Sequence, residues 1–131
     1  MSNRLERSAA PSTATDEIRT AFATRRGDLH AALRLVYQAY VDTQLIEPNP
    51  YEMRATRYHL LPTTDVILAT QDDSLLGTLT LVRDGLLGLP MEEVYGREVA
   101  ARRERGIRMA EVSCLADAGR GKANMLAVVV K

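Results

Sequence analysis

The polarity of this chain changes period several times, and each change marks an element. Residues 16–24, DEIRTAFAT, alternate Ile18, Thr20 and Phe22 against Arg19, Ala21 and Ala23, which predicts a first strand. From Arg25 the period becomes helical. Leu29, Leu33, Val36, Tyr37, Tyr40 and Val41 form one apolar stripe over 25–45, with Arg34, Gln38 and Asp42 off it and Asp28 placed as an N-cap. Pro48, Pro50 and Pro62 then limit any following helix to a short one at 50–59. DVILAT (65–70) and LLGTLTLV (75–82) flank the polar turn QDDS and predict an antiparallel hairpin. After a glycine-punctuated loop at 83–90, Pro90 sits at a helix start, and 91–106 predicts an amphipathic helix closed by Gly106. Residues 107–117, IRMAEVSCLAD, predict the next strand. The loop AGRGKA (118–123) and the apolar segment NMLAVVVK (124–131) follow it.

The order β-α-(α)-β-β-α-β, with one further element, is that of an α+β domain: a mostly antiparallel sheet flanked by helices. Residues 1–15 are rich in Ser, Ala and Thr and show no periodicity. They are expected to form a disordered tail ahead of a domain at 16–131.

The strand at 107–117 poses the chemical question. Strict alternation puts Ile107, Met109, Glu111, Ser113 and Leu115 on one face, and Arg108, Ala110, Val112, Cys114 and Ala116 on the other. A carboxylate on a largely buried strand is costly unless a partner offsets its burial. Glu111 is therefore an arginine's ion-pair partner, a surface charge on an edge strand, or a general base. Ser113, two residues on, is able to donate to a substrate carbonyl or to orient the acid.

Composition narrows the choice. Of 131 residues, 46% are hydrophobic and 26% charged, which suits one small domain with its own core. Lys and Arg total 17 and Asp and Glu total 17, so no basic field invites nucleic acid or an anionic membrane. No apolar run approaches the roughly 18 residues of a membrane span, and the first residues carry no signal-peptide core; a cytoplasmic location is expected. Cys114 is the single cysteine, so no internal disulfide forms. With only His30 and His59 beside it, a dedicated transition-metal site is not expected. Cys114 also lacks a histidine near it in sequence, which argues against a thiol nucleophile. AGRGKA places two glycines beside Arg120 and Lys122, either an anion-binding nest or a plain turn. RRERG (102–106) reads as a solvated helix end, with docking of an acidic partner as the functional alternative.

LRLVYQAY (33–40) and the stretch from ILATQDDS through GIRMAEVSCLA (67–116), in that order, resemble the bacterial N-acyl amino acid synthases. These are long-chain N-acyltyrosine-synthase-like members of the GNAT acyltransferase superfamily and relatives of the acyl-homoserine lactone synthases. The most specific pieces are LLGTLTLVRDGLLGLPMEEVY, similar to the family's D-x-x-x-GLP-M stretch, and GIRMAEVSCLA, similar to its GR-x-x-AE-x-S-x-LA strand. The resemblance covers residues 16–117.

The resemblance implies a GNAT-like fold, incomplete at the C-terminus of this chain, whose fourth strand splays from its neighbour to receive the pantetheine arm of an acyl donor. It makes Glu111 the base that takes a proton as an amino acid's α-amine attacks an acyl thioester, with Ser113 assisting. The backbone at Cys114, Leu115 and Ala116 would receive the thioester. In the phosphate loop, Gly121 and Ala123 fit the family's Gln/Arg-x-x-Gly-x-Gly/Ala pattern, while Ala118 stands where the first polar residue belongs. Arg34 and Tyr37 are the expected acceptor contacts, together with the 46–64 loop. The implied reaction is N-acyl transfer from a fatty-acyl carrier protein or acyl-coenzyme A to an amino acid, with no permanently bound cofactor and no metal. The implied partners are acyl carrier protein and the amino-acid substrate. The alternative is a catalytically inactive, truncated GNAT-like domain that binds acyl carrier protein or forms a homo-oligomer through an open sheet edge.

Overall fold

A computed structural model describes residues 17–119; the tail through residue 16, residues 120–123 of the AGRGKA loop with Gly121, and NMLAVVVK lie outside the described residues. The elements are β1 (Arg19–Phe22), α1 (Arg26–Asp42), a 3₁₀ turn (Arg57–Leu60), β2 (Thr64–Gln71), β3 (Ser74–Arg83), α2 (Glu92–Glu104) and β4 (Ala110–Asp117). The four strands lie in chain order in one sheet, and every neighbouring pair is antiparallel. The predicted hairpin closes through Asp72 and Asp73, both with positive φ (49° and 62°). Such a turn matches the twist of the flanking strands, and Asp tolerates the left-handed region better than most residues.

The stripe predicted for α1 is the one buried: Leu33 and Val36, with Ala32, turn inward, and Val36 packs with Cys114 and Ala116 of β4. Asp28 is not the N-cap. The helix starts two residues earlier, behind Arg25, and Asp28 falls in its first turn, where a negative charge suits the positive end of the helix dipole. The helix expected at 50–59 shrinks to the single 3₁₀ turn; Glu52, with a left-handed φ of 52°, breaks any helical path from Pro50. A second cluster joins Tyr58 of that turn to Val82 of β3, Leu89 of the following loop and Val99 of α2.

The link from β3 to α2 is held by charge. Arg103 on α2 forks onto Asp84, with Nε and Nη2 each 2.9 Å from a carboxylate oxygen, and its Nη2 also lies 2.9 Å from Glu92. The other oxygen of Glu92 accepts the Leu89 N–H at 2.6 Å. Gly88, with φ of 70°, is required here, since a side chain would run into the Glu92 carboxylate. The RRERG run is therefore more than a solvated helix end: Arg103 fixes the loop that delivers residues 89–91 to the sheet.

Asp84 is held below its ordinary value chiefly by the Arg103 hydrogen bond, and Glu92 chiefly by the Leu89 amide and then by Arg103. A carboxylate lowered in the folded state adds stability above its unfolded value and loses it as pH falls through the folded one. Replacing Arg103 with Met is expected to lower the melting temperature by several degrees at neutral pH. The gap from wild type should close as pH falls below about 4. Thermal melts followed by circular dichroism across that range check it; a gap that persists in acid would assign the loss to packing of the Arg103 stem.

Candidate active site

The ladder between β3 and β4 carries one irregularity, at the middle of β4. Thr78 pairs with Ala116 and Thr80 with Ser113, so Leu79 faces both Cys114 and Leu115. The extra residue is absorbed at Cys114, whose φ of 49° is left-handed. The bulge decides which face each residue occupies. Val82 opposes Glu111, Thr80 opposes Ser113 and Thr78 opposes Ala116, and directly opposed residues share a face. Strict alternation sets Cys114 and Ala116 opposite Glu111; the bulge overturns that. Both are buried against Val36 of α1, and the Ser113 Oγ lies 3.6 Å from the Cys114 Sγ. Leu115, 40% exposed, goes to the other face.

Glu111 is half-buried, and its Oε2 accepts the N–H of Met91 at 2.8 Å, immediately ahead of α2. The amide and the positive end of the helix dipole offset the burial of the carboxylate. Among the described residues no basic side chain pairs with Glu111. A backbone amide thus stands where the sequence invites an arginine.

Two buried threonines of β3 extend the polar face. Thr78 donates to the Ile67 carbonyl at 2.9 Å, and the Thr80 Oγ1 lies 3.2 Å from His59 Nε2. The Thr56 N–H donates to His59 Nδ1 at 2.9 Å, so the ring proton sits on Nε2 and is donated to Thr80. Since Thr80 opposes Ser113, His59 approaches the acid's face from the 3₁₀ turn. Burial pushes the His59 imidazole below its ordinary value, and the positive charge of Arg54 pushes it further the same way. Tyr40 of α1 packs beside Cys114 and Ala116; burial raises its phenol, Cys114 adds to the rise and Arg54 opposes it.

The residues picked from sequence are not all brought together. Glu111, Ser113, Cys114 and Ala116 share one face, whereas Leu115 leaves it and Arg34 lies on the exposed side of α1. The Tyr37 Oη accepts the Asn49 N–H at 3.3 Å and so fastens the loop after α1. Sequence alone gives His59, Thr80 and Arg54 no role at this face. Thr78 and Thr80 do carry a signal, as two polar positions alternating within the apolar run GTLTLV. His59 and Arg54 sit in a proline-rich segment with no period to read.

Beside Met91 an open, mainly apolar groove of about 400 Å³ runs between α2 and the start of β4, lined by Leu89, Met91, Tyr95, Val99 and Met109. A larger cavity of about 470 Å³ lies at Arg83, Asp84, Arg103 and Arg108. It holds none of the candidate residues, and Arg83 and Arg103 are already paired with acids. Among the described residues no three His, Cys, Asp or Glu side chains converge to hold a metal ion. No helix among them is long and apolar enough to cross a membrane.

Residues 31–130 match the family model described as N-acyl amino acid synthase FeeM. Among solved structures, the fold is similar to that of FeeM, an N-acyl amino acid synthase from uncultured soil microbes. The two are 23% identical, with a TM-score of 0.71 over 87% of this chain and 62% of FeeM. This chain thus spans less than two thirds of the solved relative. No curated protein sequence matches. The α+β, GNAT-like architecture expected from the resemblance is the one observed.

A histidine with a lowered folded-state value stays neutral while the unfolded chain takes up its proton, so stability is lost as pH falls from about 6.5 toward the folded value. The melting temperature is therefore expected to drop between pH 7.5 and 5. His59→Asn retains an acceptor for the Thr56 N–H without an ionising ring, and should show a smaller drop. Equal pH dependence in the two chains would remove His59 from this account.

Proposed function

The chain belongs to the N-acyl amino acid synthase FeeM family, and from that membership we propose that it transfers a fatty-acyl group from an acyl thioester to the α-amine of an amino acid. The observation that carries the reading is the one face on which Glu111 and Ser113 meet the bulged backbone at Cys114. In the proposed step the amine nitrogen attacks the thioester carbon and a C–N bond forms. Glu111 takes the amine's proton, the C–S bond breaks, and Glu111 passes that proton to the leaving thiolate. The products are an N-acyl amino acid and a free carrier thiol.

Each part of the face has a task in that step. A bulge interrupts the ladder and leaves backbone groups unpaired, here next to the acid, where an amide N–H is suited to polarising the thioester carbonyl. Glu111 meets Met91 through Oε2, and the bond fixes its rotamer while the other oxygen remains for the amine. Ser113, backed by the His59–Thr80 pair across the ladder, is a donor to the reacting oxygen or to the acid. The apolar groove beside Met91 suits the acyl chain, which needs little more than a dry wall. We take acyl carrier protein or coenzyme A as the carrier and a free amino acid as acceptor, and no resident cofactor is invoked.

Glu111→Gln separates the catalytic role from the capping one, because the Gln carbonyl still accepts the Met91 amide. The 131-residue chain, incubated with a long-chain acyl carrier protein or acyl-coenzyme A and a mixture of amino acids, is expected to form an N-acyl amino acid detectable by mass spectrometry. Glu111→Gln should melt as wild type does but lose about 10²–10⁴-fold in kcat/KM. Undiminished activity in the variant would leave Glu111 as a helix cap alone, and absence of product from wild type would sink the acyl-transfer reading.

A further inference from the structure

Arg54 stands in the loop between α1 and the 3₁₀ turn, and that loop is fastened. The Asn49 Nδ2 donates to the Met53 carbonyl at 3.1 Å, and the Arg54 N–H donates to the Leu33 carbonyl of α1 at 3.0 Å. The Arg54 backbone is thus pinned to the helix, and its side chain is half-buried. The Nε–H is fully buried and has no hydrogen-bond partner. An unpaired buried donor is costly, and a guanidinium cannot escape the cost by losing its charge. Other arginines nearby do have acids: Arg57 lies against Glu93, Arg83 against Asp65, and Arg103 against Asp84 and Glu92. Among the described residues no carboxylate stands against Arg54.

The position of Arg54 follows from what holds its segment: Leu33, whose carbonyl it bonds, lies one turn before Val36 on α1, and Thr56, two residues on, bonds His59. Its charge is also felt at both Tyr40 and His59. Tyr40 packs against Cys114 and Ala116, and His59 bonds to Thr80, the cross-strand partner of Ser113. Val36 and Tyr40 pack on Cys114 and Ala116 while His59 reaches the partner of Ser113, so the Arg54 backbone stands at the edge of the face that carries Ser113 and the bulge. A cation with a pinned backbone and a buried, unused donor, at the edge of a face whose acid itself lacks a basic partner, is the arrangement of a site waiting for an anion.

We propose that Arg54 binds the α-carboxylate of the acceptor amino acid. The guanidinium fork matches a carboxylate bidentately, and such a ligand would satisfy the orphaned Nε–H. Carboxylate and amine are carried by the same carbon of an amino acid, so anchoring one orients the other toward the acid on β4. The inference rests on the acyl-transfer reading and gives to Arg54 the anchoring role that the sequence suggests for the exposed Arg34.

The test compares two ligands that differ in charge alone: N-dodecanoylglycine and its carboxamide, titrated calorimetrically into the full chain. Wild type is expected to bind the acid at least about tenfold more tightly than the amide, as a charge-assisted pair requires. Arg54→Gln should abolish the preference while leaving amide affinity unchanged, and Arg54→Lys should keep part of it. Arg54→Met, which removes the orphaned donor and keeps the stem, should melt at or above the wild-type temperature. Equal binding of acid and amide by wild type overturns the role of Arg54 and leaves the acyl-transfer reading standing. Binding of neither ligand by wild type overturns both. A preference that survives Arg54→Gln, loss of amide binding in that variant, or a drop of several degrees in Arg54→Met makes Arg54 a structural residue and overturns the proposal.

Discussion

The pairing of β3 with β4, and the one residue by which it slips, governs the arrangement of the site. Six partner pairs fix β4 along β3, and the surplus residue at Cys114 is absorbed by a left-handed backbone. Without the slip, the segment after Ser113 would turn its other side to α1, and Val36 would face Leu115 and Asp117 in place of Cys114 and Ala116. With it, the acid, the serine and the buried end of the strand share one face. A bulge costs a ladder bond and some backbone strain; it is retained where re-aiming side chains is worth that cost.

The acid on that face depends in turn on a distant ion pair. Glu111 is satisfied by the Met91 amide, and Met91 is where it is because the loop from β3 is clamped between Asp84, Arg103 and Glu92. The pairs are partly exposed, and taken singly such pairs contribute little. Their geometry matters more than their energy. A fork held at both oxygens of Asp84 leaves the loop few conformations, and the helix start is thereby delivered to the carboxylate of β4.

The sequence made the elements legible wherever polarity had a period. The α1 stripe, the hairpin around QDDS and the run at 107–117 all appear within a few residues of their predicted bounds. It was silent wherever structure rests on a departure from period. Nothing in EVSCLA marks Cys114 as left-handed, since the bulge is a property of the pairing with β3, and alternation alone assigns Cys114 and Ala116 to the wrong side. Asp28 has the composition of a cap, yet the helix starts at Arg26 behind an extended Arg25, and Asp28 serves the first turn as a charge instead. The partner of Glu111 escaped because a backbone amide has no letter in the sequence, whereas an arginine does. His59 and Arg54 escaped because a proline-rich loop gives neighbours no fixed spacing.

Glu111 can be both a structural acceptor and the proposed base because a carboxylate has two oxygens and about four acceptor sites. The Met91 amide takes one oxygen and thereby removes the rotameric freedom that would otherwise have to be frozen when substrate binds. An arginine in that place would have stabilised the same charge at a higher price for catalysis, since a salt-bridged carboxylate is a weaker base. A single neutral donor fixes the position of the acid and leaves its second oxygen free for the proposed proton transfer.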